Sequence, residues 1–180
     1  MKVYQFRKYD PIYPSLYNRE RKRIKRFLKE EHLIAHIGST SVPKLSGKGV
    51  IDLMVAVKKK DFSKTKKKLL ALGYEQRDSN DKNRLFFRRE TKIKEKERRY
   101  HLHLTYWNNL QWKKANAFRE YLIQNPKVAQ EYELLKKKAL VKCKGDGKKY
   151  RQLKNEFIKK ITEKALKKNY TLSDLNLSKS

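Results

Sequence analysis

Two stretches decide the fold of this chain. They are residues 36–42, with the sequence HIGSTSV, and residues 49–57, with the sequence GVIDLMVAV. The first ends a predicted strand over residues 32–37 and breaks at Gly38. The second predicts another strand, but it carries one carboxylate, Asp52, inside an apolar run, and burying an unpaired charge is costly. We therefore predict a strand, a turn and a second strand whose lone acid has a role beyond packing.

The turn between these strands has the chemistry of an anion site. A glycine after a strand lets backbone N–H groups approach an anion closely, and neighbouring hydroxyls add donors. Those hydroxyls belong to Ser39, Thr40 and Ser41. Lys48 could neutralise a phosphate, and Asp52 could hold a divalent metal that bridges phosphates. Most turns of this kind only connect strands, so the combination with Asp52 is what favours a phosphate-and-metal platform.

Two histidines form the second candidate group. His101 and His103 are two residues apart in an alternating segment, so on a strand they share one face. They could ligate a metal, contact phosphate or act as acid and base near neutral pH; the plainer alternative is a hydrogen-bonded pair that lines the sheet. If their strand neighbours that of Asp52, the three side chains could make a metal site suited to zinc or manganese rather than magnesium. In the rival arrangement the histidines contact phosphate and Asp52 alone binds the metal.

The remaining pattern predicts an α/β (α+β) fold, with a small mixed sheet flanked by helices and a helical C-terminal third. Helices are expected over residues 14–31, 61–72, 112–124, 128–141 and 149–169, with Asp146 as the cap of the last one. A hairpin is expected from 74–77 and 84–89, then a charged connector over 90–98 and a strand over 99–106. Residues 1–172 are interpreted as a single domain and residues 173–180 as a flexible tail.

The net charge of the chain indicates the class of partner. Lys and Arg number 48 against 19 Asp and Glu, a net charge of +29, which attracts polyanions such as RNA, DNA, nucleotides or an acidic membrane surface. Basic clusters lie in residues 19–29, 58–68, 92–99 and 136–168. Any one of them is most simply a solvated face, but together they predict non-specific anion affinity, with RNA among the expected partners.

Sequence also argues against a membrane or secreted protein. The longest uncharged stretch, residues 100–112, is 13 residues and contains His, Asn and Gln, which is too short and too polar for a membrane span. The N-terminal residues lack the apolar core of a signal peptide. Cys143 is a single cysteine and cannot form an internal disulfide. A cytoplasmic protein is expected.

In the order of its motifs, the chain resembles the GrpB family, a branch of the nucleotidyltransferase superfamily. The resemblance rests on HIGSTSVP from His36 to Pro43, on Lys48, on IDL from Ile51 to Leu53 and on HLHL from His101 to Leu104. Later matching positions are Phe118 to Leu122, Tyr132, Leu135, Lys136, Tyr150, Lys154 and Phe157. The match spans roughly residues 13–165, nearly the whole chain.

The resemblance implies a nucleotidyltransferase-type core in which Gly38 and Ser39 lie in the phosphate turn and Asp52 is the first metal carboxylate. The superfamily's second carboxylate would fall at Met54, and the third is replaced by the histidine pair. One carboxylate cannot hold two magnesium ions in the usual way. By the same resemblance, Arg119, Lys136, Tyr150 and Lys154 of the helical third are expected to bring further polar groups to the pocket, with Arg119 among the phosphate contacts. Helix packing is the alternative role, more so for Tyr150 than for Arg119.

These observations lead to one main expectation and two alternatives. The main one is a protein that binds a nucleoside triphosphate or another phosphorylated small molecule with a divalent metal (Mg, Mn or Zn) and transfers a nucleotidyl or phosphoryl group. Its catalytic and metal residues would be Asp52, His101 and His103, and its phosphate contacts Gly38, Ser39, Thr40, Ser41, Lys48 and Arg119. The first alternative is a non-catalytic RNA-binding or nucleotide-sensing module that has lost the second metal carboxylate. The second is a metal-dependent phosphohydrolase.

Overall fold

A five-stranded mixed sheet lies at the centre of the computed structural model, which describes residues 5–79, 83–93 and 95–168. Its strands are β1 (His32–Ile37), β2 (Ile51–Val57), β3 (Glu75–Arg77), β4 (Leu85–Ile93) and β5 (Lys96–Tyr106). They run in the order β1-β2-β5-β4-β3. Only β2 and β5 are parallel; the other neighbours are antiparallel. The parallel pair places the strand of Asp52 beside the strand of the two histidines.

One face of the sheet is covered by the first two helices, α1 (Tyr13–Phe27) and α2 (Phe62–Ala71). Alternate side chains of the central strands, among them Leu53 and Leu102, point to this face and are fully buried. They pack against Ile24 of α1 and Leu69 of α2. Each buried aliphatic side chain contributes roughly 1.5–3 kcal/mol, so this layer carries much of the folding free energy.

A buried carboxylate ties α1 to the sheet. Glu20 is only 2% exposed. It accepts hydrogen bonds from Arg23, from the Tyr74 hydroxyl at 2.7 Å and from Arg89 at 2.8 Å. Burial by itself would raise the pKa of Glu20, but these hydrogen bonds outweigh it and hold the pKa below its usual value. The network keeps one charge buried without leaving it unpaired.

The opposite face of the sheet meets the first of the C-terminal helices, α3 (Leu110–Gln124). The other two, α4 (Pro126–Cys143) and α5 (Gly147–Lys167), pack against α3 and against each other. Met54 and Ala56 of β2 pack on this face against Trp112 of α3. Asp52, two residues before Met54, belongs to the same face by strand alternation but is only partly buried. The face therefore has an apolar half under α3 and a polar half beside α4 and α5.

The expected mixed α/β fold with a helical C-terminal third is confirmed, and so are the hairpin of β3 and β4 and the cap of α5. Asp146 accepts from the N–H groups of Lys148 and Lys149. The connector expected over residues 90–98 is wrong, because β4 continues to Ile93 and β5 begins at Lys96 as one long antiparallel hairpin.

Ion pairing across this hairpin explains the difference. Glu90 accepts from Arg88 and from Arg99, the latter at 2.7 Å, and the hydrogen bond from Arg88 is the main cause of a Glu90 pKa of about 2. Charges that suggested a solvated loop are therefore paired on a strand surface.

The first helix is shorter than expected. Helix α1 stops at Phe27 rather than near residue 31, because Leu28 is already extended and Glu30 binds Lys68 at 2.6 Å.

The predicted tail over residues 173–180 lies outside the described residues, and the single-domain interpretation stays a prediction. Within the described ranges, every helix is too short or too polar to cross a bilayer.

Candidate functional site

Parallel pairing of β2 and β5 sets Asp52 directly opposite His101. Nδ1 of His101 lies 3.2 Å from Oδ1 of Asp52, and both side chains are about one-fifth exposed. With the imidazole neutral, Nδ1–H donates to the carboxylate, and Nε2 is left as an acceptor that faces outward from the pair. This carboxylate–imidazole pair is the first element of the site.

The Gly38 turn lies against the same carboxylate. Gly38 adopts φ 73° and ψ −173°, a conformation that is essentially restricted to glycine. A Cβ atom at this position would stand 2.4 Å from Oδ2 of Asp52. The backbone therefore approaches the acid more closely than any other residue type would allow.

Hydrogen bonds fix the shape of the turn. The Ser41 hydroxyl donates to the Gly38 carbonyl at 2.6 Å, and the Thr40 hydroxyl donates to the Val50 carbonyl at 3.0 Å. Because the Thr40 hydrogen is used in this way, its oxygen accepts from Nε2–H of His36 at 3.0 Å. Burial lowers the pKa of His36 to about 4, so this imidazole stays neutral near pH 7.

Three hydrogen-bond donors of the turn are unused within the described residues. Within the described part of the chain, the backbone N–H groups of Ser39 and Thr40 and the Ser39 hydroxyl donate to no other residue. The buried hydroxyl of Thr40, in contrast, is occupied. The structure thus gives Thr40 the role of holding the turn, whereas Ser39 has groups that remain for a ligand.

Lys136 of α4 brings a buried ammonium group to this turn. It is 2% exposed, donates to the Ser46 carbonyl and lies 4.9 Å from the centre of the Tyr132 ring. A Cβ on Gly47 would stand 2.7 Å from the Ser39 hydroxyl and 3.4 Å from the Lys136 nitrogen, so the two groups flank Gly47. Burial lowers the pKa of Lys136 to about 7.

Two more lysines meet at one aromatic ring. The Lys48 nitrogen lies 3.5 Å and the Lys154 nitrogen 4.2 Å from the ring centre of Tyr150 on α5. Burial is the main cause that lowers the pKa of each to about 8, and the charge of Lys154 lowers that of Lys48 further. The negative charge of Asp52 acts in the opposite sense on Lys154, so the carboxylate and this ammonium group interact electrostatically.

His103 does not join the pair formed by Asp52 and His101. Its ring stacks on Phe86 with centres 5.2 Å apart, its Nδ1 is buried without a hydrogen-bond partner, and burial lowers its pKa to about 3. Across residues 5–79, 83–93 and 95–168, no three His, Cys, Asp or Glu side chains are grouped as metal ligands. The three-ligand arrangement suggested for Asp52, His101 and His103 is thus not formed here.

The usual two-magnesium arrangement does not fit these residues either. The position of the second carboxylate is Met54, which is completely buried and packs on Trp112. Asp52 and His101 could hold at most a single divalent ion, whose remaining ligands would have to come from a bound phosphate or from water.

The guanidinium group of Arg119 is bound to groups of the protein itself. It donates to the His36 carbonyl at 2.9 Å and forms an ion pair with Glu120. It thereby links α3 to β1, and its predicted contact with phosphate stays a prediction.

Two site residues escaped the sequence reasoning. Arg99 and Arg151 each lower the pKa of Lys48 and so lie within its electrostatic reach. Arg99 could have been found, because it shares a strand face with His101 two residues later; Arg151 is indistinguishable in sequence from the many basic residues around it.

Comparisons with known proteins agree with this architecture. The model of the GrpB protein family matches residues 4–164. The UPF0157 protein YqkA of Bacillus subtilis is 29% identical over 160 residues, which cover 87% of this chain but 46% of YqkA, so the chain spans less than half of that relative. The glutamate-rich protein GrpB of Alkalihalophilus pseudofirmus is 29% identical over 154 residues, covering 81% of this chain and 86% of that protein.

Among solved structures, the conserved protein GrpB from Enterococcus faecalis is 33% identical and superimposes with a TM-score of 0.78 over 93% of this chain and all of that one. A structure of Cid1 in complex with its short product ApU reaches a TM-score of 0.49 at 15% identity, over 72% of this chain and 41% of that one. The Cid1 likeness is too weak to support an argument about the site.

Proposed function

The chain belongs to the GrpB family, and from this premise we propose that it binds the phosphate groups of a nucleotide or another phosphorylated ligand between the Gly38 turn and helices α4 and α5. One observation carries the proposal: Lys136 is buried beside the turn, and the partly buried Lys48 and Lys154 meet at the Tyr150 ring. The carboxylates that act on these lysines are Asp52, which acts on Lys136 and Lys154, and Glu133, which acts on Lys136 and is itself paired with Lys137. The positive charge at this place exceeds the negative charge, and an anionic ligand would balance it.

The energetic argument concerns desolvation. Removing an ammonium group from water costs several kcal/mol unless an opposite charge or good hydrogen bonds compensate. Lys136 is compensated by the Ser46 carbonyl, the Tyr132 ring and the charge of Glu133, but burial outweighs them and lowers its pKa. A phosphate group next to Ser39 would restore the pKa of Lys136 and accept hydrogen bonds from the turn.

The pair of Asp52 and His101 supplies the chemistry for group transfer. The Asp52 carboxylate fixes the imidazole so that Nε2 is the proton acceptor. In the proposed reaction the oxygen of an acceptor hydroxyl forms a bond to phosphorus, its proton passes to Nε2 of His101, and the bond from phosphorus to the leaving oxygen breaks. The three lysines stabilise the negative charge on the phosphoryl oxygens.

Alternatively, Asp52 and His101 bind a divalent ion. One Mn²⁺ or Zn²⁺ suits a carboxylate and an imidazole better than Mg²⁺ does. It would neutralise charge on the phosphates of a bound nucleoside triphosphate. His101 cannot ligate such an ion through Nε2 and accept a proton there at the same time, so metal dependence separates the two roles.

A non-catalytic nucleotide-sensing or RNA-binding module is the second candidate. The observation that favours it is Met54, whose burial against Trp112 leaves the site with one carboxylate where the superfamily's usual site has two or three. The net charge of +29 adds general affinity for RNA.

The test is incubation with each labelled nucleoside triphosphate, with Mg²⁺, Mn²⁺, Zn²⁺ or a chelator, and with or without bulk RNA. Transfer of label supports the enzyme, release of free phosphate identifies a hydrolase, and saturable binding without turnover identifies the sensing module. Lys136→Met should weaken binding, whereas Lys137→Met on the exposed side of α4 should not. Failure of every nucleotide and of inorganic phosphate to bind would overturn the proposal.

A further inference from the structure

A second candidate surface lies on the other side of the sheet, between the ends of α1 and α2. An open groove of about 580 Å³ is lined there by Arg26, Phe27 and Lys29 of the α1 end and by Lys67, Lys68 and Ala71 of α2. Phe27 is 42% exposed, and so is Leu70 on the neighbouring turn of α2. A large aromatic side chain thus remains open to solvent in a shallow and strongly basic groove.

Charge is concentrated on this side of the molecule. Residues 19–31 and 58–68, which include most of α1 and α2, carry 14 Lys and Arg against four Asp and Glu, a net charge of +10 over 24 residues. Residues 110–168, which form the C-terminal helices, carry 18 against six, a net charge of +12 over 59 residues. The density of net charge near the groove is therefore about twice that of the helical third.

The few acids near the groove do not neutralise its rim. Glu30 binds Lys64 and Lys68, Glu31 binds Lys58, and Glu20 is buried in its own network. Within the described ranges, no carboxylate pairs with Arg26, Lys29 or Lys67. Three cations thus remain at the rim around Phe27.

We propose that this groove binds single-stranded nucleic acid, with backbone phosphates on Arg26, Lys29 and Lys67 and a base stacked on Phe27. Proteins that hold single strands combine a basic groove with exposed aromatic rings in this way. A shallow basic groove with one exposed aromatic ring and a leucine beside it offers a stacking surface to a base, whereas lipid binding would call for a larger apolar face. The groove and the Asp52 cleft lie on opposite faces of the sheet, so the inference does not rest on the proposed function.

The test uses the full chain and fluorescence anisotropy with a labelled oligouridine of about 15 nucleotides, over a series of salt concentrations. The triple variant Arg26→Gln, Lys29→Gln, Lys67→Gln should lower the slope of log affinity against log salt by about 2, because each lost single-strand phosphate contact accounts for about 0.7. Phe27→Ala should weaken binding at least about fivefold and leave the slope unchanged.

A charge-matched triple on the helical third, Lys142→Gln, Lys160→Gln, Lys164→Gln, is the control and should change the slope much less. If the two triple variants changed the slope equally, net charge alone would explain the binding, and the proposal would be overturned. So would an unchanged affinity in Phe27→Ala, or binding of the groove to phosphatidylserine vesicles in preference to the oligonucleotide. Asp52→Ala should leave oligonucleotide binding intact, which separates this surface from the cleft.

Discussion

The carboxylate of Asp52 lies directly against the backbone of Gly38, so close that a Cβ atom at that position would stand 2.4 Å from Oδ2. The contact joins the turn after β1 to the carboxylate on β2. It requires a residue that can adopt the Gly38 backbone conformation and that has no side chain. The shape of the proposed phosphate site therefore depends on one residue that carries no functional group.

Gly38→Ala should disturb the cleft through both effects. We expect the free energy of unfolding to fall by about 1–3 kcal/mol, because φ 73° with ψ −173° strains any other residue, and nucleotide binding to be lost as Asp52 is displaced. Gly73→Ala is the matched control: φ is 78° but nothing lies within 4 Å of its added Cβ. Denaturant unfolding and calorimetric binding measure the two effects; undisturbed binding in Gly38→Ala would show that the contact has no part in the site.

Asp52→Asn should abolish most transfer activity without unfolding the protein. The amide cannot orient the imidazole of His101 as the carboxylate does, so we expect a fall of about 10²-fold or more in the rate of label transfer. The side chain is partly exposed and equal in size, so thermal unfolding should change little. Lys159→Ala, an exposed change on α5, should retain full activity. Wild-type rates in a folded Asp52→Asn variant would remove Asp52 from the mechanism.

Binding of the anionic ligand should weaken as the pH rises. The lysines bind phosphate only when protonated, and their pKa values are about 7 for Lys136 and about 8 for Lys48 and Lys154. We therefore expect affinity to fall by much more than about tenfold between pH 6.5 and 9, because each of the three ammonium groups loses most of its protonated form in this range. Calorimetric titration of a non-hydrolysable nucleotide measures it, and affinity that is flat over this range would contradict the assignment of the lysines.

Stability of the unliganded protein should change in the opposite direction. The pKa of Lys136 is about 7 when folded and near its ordinary value of 10.5 when unfolded, so between these values the unfolded chain binds more protons. The free energy of unfolding should thus rise with pH above about 7, by up to about 1.4 kcal/mol per pH unit from this group. Lys136→Met should flatten the rise, whereas Lys137→Met should not; equal slopes in all three proteins would argue that Lys136 is not buried as a cation.

The buried network at Glu20 should be essential for folding and irrelevant to the ligand. Glu20→Gln removes the charge that balances Arg23 and Arg89, so we expect a loss of about 3–5 kcal/mol in unfolding free energy. Glu75→Gln, which breaks the exposed pair with Arg77, should cost less than about 1 kcal/mol. At temperatures where Glu20→Gln remains folded, nucleotide affinity should equal that of the wild type, and a selective loss of affinity would instead connect this network to the cleft.

Local sequence patterns predict the strands and helices of this protein well, because the apolar period and the Gly and Pro positions act over short distances. The long hairpin of β4 and β5 was missed because Glu90 on β4 pairs with Arg99 on β5, a contact between strands that no local pattern contains. Arg88 adds a second contact to Glu90 along β4 itself. Charged residues in sequence look like a solvated loop until their partners are known.

The residues of the site differ in how clearly the sequence identifies them. Asp52 and Gly38 stand out because each breaks a local rule, an acid in an apolar strand and a glycine at a strand end. Lys136 and Lys154 break no such rule, and among 48 basic residues only the resemblance to the family singles them out. Their burial is not readable from the sequence. Nor does alternation reveal that the ring of His103 stacks on Phe86 and that its Nδ1 is buried without a hydrogen-bond partner.

The most direct test of the phosphate cleft is a crystal structure of the full chain with a non-hydrolysable nucleoside triphosphate analogue. The account predicts phosphate oxygens within hydrogen-bond distance of the Ser39 N–H and hydroxyl groups and of the Lys136 ammonium group, next to Asp52. An analogue bound only in the groove beside Phe27, or a cleft still closed by protein side chains at saturating ligand, would contradict it.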